Sequence, residues 1–219
     1  MRHVKFSASR KDNRLAIIDF HTHNPTAEGV VTPRSFGIHP WVSDEEPSKD
    51  FDEFLTRYKE SFTEAEIIGE CGLDKACRST WEGQVQIFQW QIQLSEMLNK
   101  PMVIHCVRAF NELIQMRRNH PAVPWVVHGF TGSVELQQQL WNAGLWVSYG
   151  AALIDPRRAK VRESLRLNPH PFLLETDESP CGIEAVYKAA AAIRQISVPD
   201  LQSTINRHYH SLFNQQSQP

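Results

Sequence analysis

The sequence lacks several features that mark particular classes of protein. Its 219 residues include only four cysteines and no C-x-x-C pair, so neither a disulfide framework nor a thiolate zinc site is predicted. The cysteines are Cys71, Cys77, Cys106 and Cys181. No apolar run approaches the roughly 18 residues that a membrane span needs, and residues 1–6 lack the apolar centre of a signal peptide. We therefore expect a cytoplasmic protein with no membrane partner.

The chain also lacks a large excess of charge of either sign. Its formal net charge is -2 and its isoelectric point is near 6.5, which argues against the broad basic surface of a dedicated nucleic-acid-binding protein. A phosphate-bearing substrate would need local positive charge, including that of metal ions. With 41% hydrophobic residues the chain can bury a core as one domain over residues 1–219. Residues 1–14 are predicted to be a loose polar lead-in to that domain.

Short apolar runs alternate with amphipathic segments along most of the chain. The predicted strands cover residues 15–18, 34–41, 66–70, 101–105, 124–128, 145–149 and 171–175. The predicted helices cover residues 50–60, 79–99, 108–119, 133–143, 156–167, 182–195 and 199–213. This alternation predicts parallel βαβ units, and strands that are apolar on both faces predict a sheet covered on both sides. The expected fold class is therefore α/β, a TIM-barrel-like (β/α) barrel.

The predicted barrel is short of one unit near its start. The pattern contains seven strands, whereas a complete barrel of this type has eight. Residues 24–33 contain two prolines and one glycine and are predicted to form a loop. Because the stretch from His23 to Phe36 is too short for a helix and another strand, we expect about seven parallel strands.

Residues that can bind metal follow the apolar strands. The first strand leads into Asp19-Phe20-His21-Thr22-His23, and alternation along a strand places His21 and His23 on the same side. Four further candidates end later strands or lie just beyond them: Glu70, His105, His128 and Asp177. The carboxyl ends of barrel strands converge over the mouth of the barrel, so all six side chains are expected to meet there.

The combination of imidazole and carboxylate indicates a particular kind of metal site. These donors suit zinc, manganese, iron or nickel, and a carboxylate can bridge two ions. Six ligands exceed one tetrahedral site, which favours two metals about 3.5 to 4 Å apart. Taken singly, each residue could instead be an ordinary polar residue at a strand end or a helix cap. This alternative would need six unrelated polar residues to occur by chance at matching strand ends, so it explains the pattern poorly.

The sequence resembles the TatD-type metal-dependent hydrolases of the amidohydrolase superfamily. The motifs that carry this resemblance are Asp-Phe-His-Thr-His (19–23), Gly-Ile-His-Pro (37–40), Gly-Glu-Cys-Gly-Leu-Asp (69–74), Val-Ile-His-Cys (103–106), His-Gly-Phe-Thr-Gly-Ser (128–133) and Leu-Leu-Glu-Thr-Asp (173–177). The resemblance implies a TIM-barrel-like fold, one or two and at most three divalent ions (Zn, Mn, Mg, Fe or Ni), and hydrolysis of phosphodiester bonds in DNA. It also implies that the metal ligands are His21, His23, Glu70, His105, His128 and Asp177, with Glu70 as the bridge.

We therefore expect a DNase that uses a metal-activated water, with Glu70 and Asp177 as catalytic residues. Metal binding lowers the pKa of water from about 15.7 towards about 7, and Asp177 is expected to hold that water and accept its proton. DNA is the expected substrate, and no obligate protein partner is evident. His39, Trp41 and Arg108 are candidate substrate contacts.

The chain departs from the family pattern at three places. The passage from His23 to Phe36 is unusually short, Arg108 stands one residue later than the family's arginine, and Pro180 follows Asp177 one residue later than usual. Two alternatives remain open. One is a barrel hydrolase of a small ester, lactone or amide, although many such enzymes bridge their metals with a carboxylated lysine and no lysine ends a strand here. The other is a non-catalytic binding protein that retains the fold.

Overall fold

The computed structural model describes residues 16–24 and 27–214, and the predicted lead-in at residues 1–14 lies outside them. The strands are β1 (Ile17–Ile18), β2 (Val30–Val31), β3 (Ser35–Phe36), β4 (Ile67–Asp74), β5 (Met102–Val107), β6 (Trp125–Val127), β7 (Leu145–Tyr149) and β8 (Phe172–Leu174). The helices are α1 (Phe51–Glu64), α2 (Trp81–Leu98), α3 (Phe110–Asn119), α4 (Val134–Asn142), α5 (Ala159–Leu167), α6 (Ile183–Arg194) and α7 (Val198–Asn214). All seven predicted helices are confirmed, with their ends shifted by a few residues.

Side chains at the amino ends of the helices define where several of them begin. The Asp50 carboxylate accepts the Glu53 N–H at the start of α1, the Thr80 hydroxyl accepts the Gly83 N–H at the start of α2, and Ser133 does the same for α4. Each cap satisfies one of the N–H groups that have no partner within the helix. The capped helices return the chain to the start of the next strand.

The strands form a parallel barrel wall. Strands β3 to β8 pair in chain order as one six-stranded parallel sheet, and β1 and β2 pair as a separate parallel ladder. The wall continues from β8 to β1, because the Phe20 N–H donates to the Leu174 carbonyl at 2.9 Å and Thr22 forms a parallel bridge with Asp177. Within the described residues no ladder joins β2 to β3. The carboxyl ends of β1 and β8 therefore lie side by side.

The predicted count of about seven strands is wrong, because the described chain has eight. The additional strand, β2, lies inside residues 24–33, which we predicted to be a loop; Val30 pairs with Ile17, and Val31 pairs with Ile18. Two valines between a glycine and a proline are too few to produce a strand pattern in the sequence. No helix lies among the described residues between β1 and β3. Among the described residues, the segment between β1 and β3 therefore contains a strand, β2, but no helix.

The C-terminal helices cover and anchor β1. The Tyr187 hydroxyl of α6 pairs with both the N–H and the carbonyl of Ile18, and the Asn206 amide of α7 donates to the Ala16 carbonyl. The interior is filled by fully buried side chains of the strands and by rings such as Phe88 and Trp125. Within the described residues, no helix is long and apolar enough to cross a membrane. The anchoring of β1 fixes the strand from which the segment with His21 and His23 continues.

Candidate metal centre

Glu70 lies at an irregularity in β4 that points its carboxylate into the barrel mouth. The pairing register between β4 and β5 shifts between Ile68 and Cys71. The preceding residue, Gly69, has φ +128°, and a Cβ there would lie 2.3 Å from the Val103 carbonyl oxygen. Only glycine allows this close approach of two strands. The strand continues to Asp74 rather than ending at Glu70 as predicted.

One oxygen of the Glu70 carboxylate faces the residues of β1 and β8. Its Oε2 atom is 3.1 Å from His21 Nε2 and 3.2 Å from His23 Nε2. The Oδ1 atom of Asp177 is 3.6 Å from His23 Nε2 and 4.0 Å from His21 Nε2. The donor atoms of His21, His23 and Asp177 all lie within 4.8 Å of one another, close enough to hold one metal ion.

The other oxygen of Glu70 faces a second set of histidines. Its Oε1 atom is 2.7 Å from His128 Nε2, 2.8 Å from His105 Nδ1 and 3.0 Å from His39 Nε2. The atoms of His39, Glu70 and His105 form another group that could hold a metal ion. The structure thus brings together all six residues predicted as ligands. It also places His39, which we assigned to substrate contact, among the possible metal donors.

This donor set fits divalent metal ions. Every donor is an imidazole nitrogen or a carboxylate oxygen. The two oxygens of Glu70 face different histidines, and Glu70 also forms a group with His21 and His128 that could hold a metal ion. Burial by itself raises the pKa of Glu70, but hydrogen bonds from His105, His128, His21 and His39 outweigh burial and hold that pKa well below its usual range. Glu70 is therefore ionised at neutral pH, as a bridging ligand must be.

The candidate ligands open into a cavity of about 630 Å³ at the barrel mouth. Trp41 lines this cavity with its side chain 57% exposed, and Val42 and Glu178 line it beside the histidines. Arg108 is exposed and does not line the cavity, and its side chain makes no hydrogen bond or ion pair within the described part of the chain. The structure therefore places two of the three predicted substrate contacts, His39 and Trp41, at the cavity.

The family to which these motifs point is identified by direct comparison. The sequence model of the family TatD related DNase matches residues 26–214, most of the chain. The chain belongs to this family.

Two curated relatives match about two thirds of the sequence. The 3'-5' ssDNA/RNA exonuclease TatD of Citrobacter koseri is 31% identical over 151 residues, which cover 64% of this chain and 55% of that protein. The protein of Escherichia coli named Uncharacterized metal-dependent hydrolase YjjV is 25% identical over 146 residues, which cover 65% of this chain and 56% of that protein. The chain spans slightly more than half the length of these two curated relatives.

A solved structure of the family matches nearly the whole fold. The crystal structure of the TatD homologue YjjV from Escherichia coli matches with a TM-score of 0.76 at 18% sequence identity, and covers 92% of this chain and 99% of that chain. The likeness confirms the expected TIM-barrel-like fold.

Asp177 occupies a constrained position in this TatD fold. Its φ of +54° lies in the left-handed region, which is unfavourable for a residue with a side chain. Its N–H donates to the His21 carbonyl, and its own carbonyl accepts the His23 N–H. These two bonds hold the turn against the end of β1, so that the carboxylate points towards both imidazoles. Burial raises the pKa of Asp177 above its usual value.

Two buried carboxylates contact the far sides of the candidate ligands. Asp74 Oδ2 is 3.1 Å from His105 Nε2, and Glu175 Oε1 is 3.5 Å from His128 Nδ1. Glu175 is fully buried and also accepts the Gly129 N–H. Burial lowers the pKa of His128, but the nearby carboxylates of Glu175 and Glu70 outweigh it and raise that pKa to about 10. A carboxylate behind a histidine fixes the ring and makes its other nitrogen a better ligand.

The contact made by Glu175 was missed in the sequence, although a signal for it exists. Glu175 precedes Asp177 by two residues just after β8, and in the sequence that spacing predicts side chains on the same side of an extended chain. Asp19 likewise lies two residues before a candidate ligand, His21. Its carboxylate accepts both the N–H and the hydroxyl of Thr176, the residue before Asp177. Burial outweighs these bonds and raises the pKa of Asp19 to about 6.

Proposed function

We propose that this protein is a divalent-metal-dependent hydrolase that cleaves phosphodiester bonds in DNA. The observation that carries the proposal is the position of Glu70, whose two carboxylate oxygens face different histidines within groups that could hold metal ions. Two metal ions sharing one carboxylate are an established arrangement for breaking phosphodiester bonds. The relative from Citrobacter koseri is named as an exonuclease of single-stranded DNA and RNA, which supports nucleic acid as the substrate class and DNA within it.

We infer that the metal ligands are His21, His23, Glu70, His105, His128 and Asp177, with Glu70 as the bridge. A donor set this rich in imidazole favours zinc, manganese, iron or nickel over magnesium. Bound ions supply a water of lowered pKa and neutralise the charge that develops on the phosphoryl oxygens. Local positive charge of this kind makes a chain with a net charge of -2 compatible with an anionic substrate.

Asp177 has the properties of the general base. Its Oδ1 atom lies at the cavity 3.6 Å from His23 Nε2, where the carboxylate can accept a proton from a water bound there. In this mechanism Asp177 would hold the attacking water and take its proton at the carboxylate. Glu70 stays ionised throughout, because the surrounding imidazoles stabilise its charge.

The test is hydrolysis of single-stranded and duplex oligonucleotides by purified protein with several divalent metals, beside a panel of small esters and lactones. Asp177→Asn should lower kcat on DNA by about 10²- to 10⁴-fold, the usual contribution of a positioned base. Glu70→Gln should lower both activity and metal content, whereas Asp52→Asn, an exposed change on α1, should alter neither.

Undiminished cleavage in both site variants would refute the mechanism. Hydrolysis of small esters without any cleavage of DNA would instead support the small-molecule alternative. Full binding of metal without hydrolysis of any substrate would support a binding protein that retains the fold.

A further inference from the structure

Trp41 combines high exposure with a buried anchor. It follows His39 and Pro40 in a short 3-10 helix, Pro40–Glu45, and its side chain is 57% exposed at the cavity. Its indole N–H donates to Asp74 Oδ2 at 2.7 Å, although Asp74 is only 4% exposed. An exposed aromatic ring is ordinary when it is free on a surface. Here the ring is tied to a carboxylate inside the protein.

The anchor itself cannot move easily. Asp74 Oδ1 accepts the Ala76 N–H at 2.7 Å. The buried Gln84 side chain accepts the Asp74 N–H at 2.7 Å and donates to the Asp74 carbonyl at 3.1 Å. Both the side chain and the backbone of Asp74 are therefore fixed, and the tryptophan ring that it holds is fixed with them.

The backbone of Trp41 is held on both sides. Its N–H donates to His39 Nδ1 at 3.2 Å, and its carbonyl accepts the Ser79 hydroxyl at 2.8 Å. The indole ring lies 4.7 Å from the His39 ring and 5.9 Å from the His105 ring, nearly perpendicular to each. Because the other nitrogen of His39 faces Glu70, the exposed ring lies next to the groups proposed to act on the phosphodiester.

A rigid aromatic surface beside such a centre suits one class of ligand group. The faces of nucleobases stack on aromatic side chains whatever the base, and alanine substitution of such a side chain weakens binding. Fixing the ring in advance lowers the entropy that is lost when the ligand binds. Asp74 also contacts His105, so one carboxylate sets the position of both the ring and a candidate metal ligand.

We propose that Trp41 is the stacking platform for the nucleobase next to the bond that is cleaved, and that Asp74 holds it in position. This proposal rests on the proposed nuclease function. It predicts a substrate with planar bases and little preference among them. A chain of sugar phosphates without bases lacks this contact.

The experiment compares an oligothymidylate with an oligomer of the same length that has tetrahydrofuran in place of every nucleoside. On oligothymidylate, Trp41→Ala should lower kcat/KM about tenfold, mainly through KM, because base stacking contributes roughly that factor or more. On the base-free oligomer the same variant should match the wild type. Trp41→Phe should retain most of the preference for bases. Met97→Ala, which removes an exposed side chain on the outer helix α2, should behave as wild type.

Equal losses on both oligomers, or no loss on either, would overturn the role of Trp41. Binding of both labelled oligomers to metal-free protein, measured by fluorescence anisotropy, separates this inference from the proposed function. If Trp41 determines a preference for bases in binding but no metal supports cleavage of DNA, the platform stands and the nuclease proposal fails.

Discussion

Replacing Glu175 with glutamine should weaken metal binding while it leaves the shape of the site unchanged. Glu175 is fully buried, its Oε1 atom lies 3.5 Å from His128 Nδ1, and the same atom accepts the Gly129 N–H. Glutamine keeps the volume and can keep the bond to Gly129, but it removes the negative charge behind the imidazole. His128 then becomes a less basic ligand with a less fixed ring.

Loss of a carboxylate partner behind a metal-binding histidine typically costs 10- to 100-fold in metal affinity, or about 1.4 to 2.7 kcal/mol. The measurement is competition for zinc between purified protein and a chelator of known affinity. Glu135→Gln, which removes one negative charge from the exposed start of α4, controls for the change in net charge.

The thermal midpoint of the metal-free variant tests whether the effect is only structural. If Glu175→Gln binds zinc as tightly as the wild type and only its midpoint falls, then Glu175 supports the fold and not the ligand. A loss of affinity as large in Glu135→Gln would also refute the reasoning, because within the described residues Glu135 forms no hydrogen bond or ion pair with His128.

Two further predictions concern residues that hold the site from outside. The pKa of Asp19 is about 6 in the fold against an ordinary 3.8, so the folded chain binds that proton more tightly and its free energy of unfolding should fall as pH rises between these values. The fall is about 3 kcal/mol in all, of which about 1.4 kcal/mol lies above pH 5. Urea unfolding of metal-free protein at pH 5 and pH 7 should show this loss in the wild type relative to Asp19→Asn, and equal changes in the two proteins would contradict it. Gln91 is fully buried on α2 and pairs with both the N–H and the carbonyl of Ile38, so Gln91→Leu should cost about 2 to 4 kcal/mol by leaving two backbone groups unpaired. Gln93→Leu, on the exposed face of the same helix, is the matched control in thermal unfolding.

The sequence by itself determined the fold class and the set of candidate ligands. Period-two alternation predicted that His21 and His23 lie on one side of the chain. The repeated pattern of strand and helix predicted that Glu70, His105, His128 and Asp177 meet them at the barrel mouth. The structure brings these side chains together, as local periodicity and the convergence of parallel strands predict, and their role as ligands stays a prediction. The organisation of residues 1–219 as one domain stays a prediction.

The tertiary structure decided the contacts between residues that are distant in the sequence, which local sequence patterns do not predict. Strand β2 forms because Val30 and Val31 pair with β1. The residues next to them in the sequence do not predict a strand. His39 joins the donor cluster because β3 and β4 pair in a register that places its ring next to Glu70. The carboxylates of Asp74 and Glu175 reach histidines on other strands. In each case the partner is distant in the sequence, and its distance and orientation are set only when the whole barrel packs.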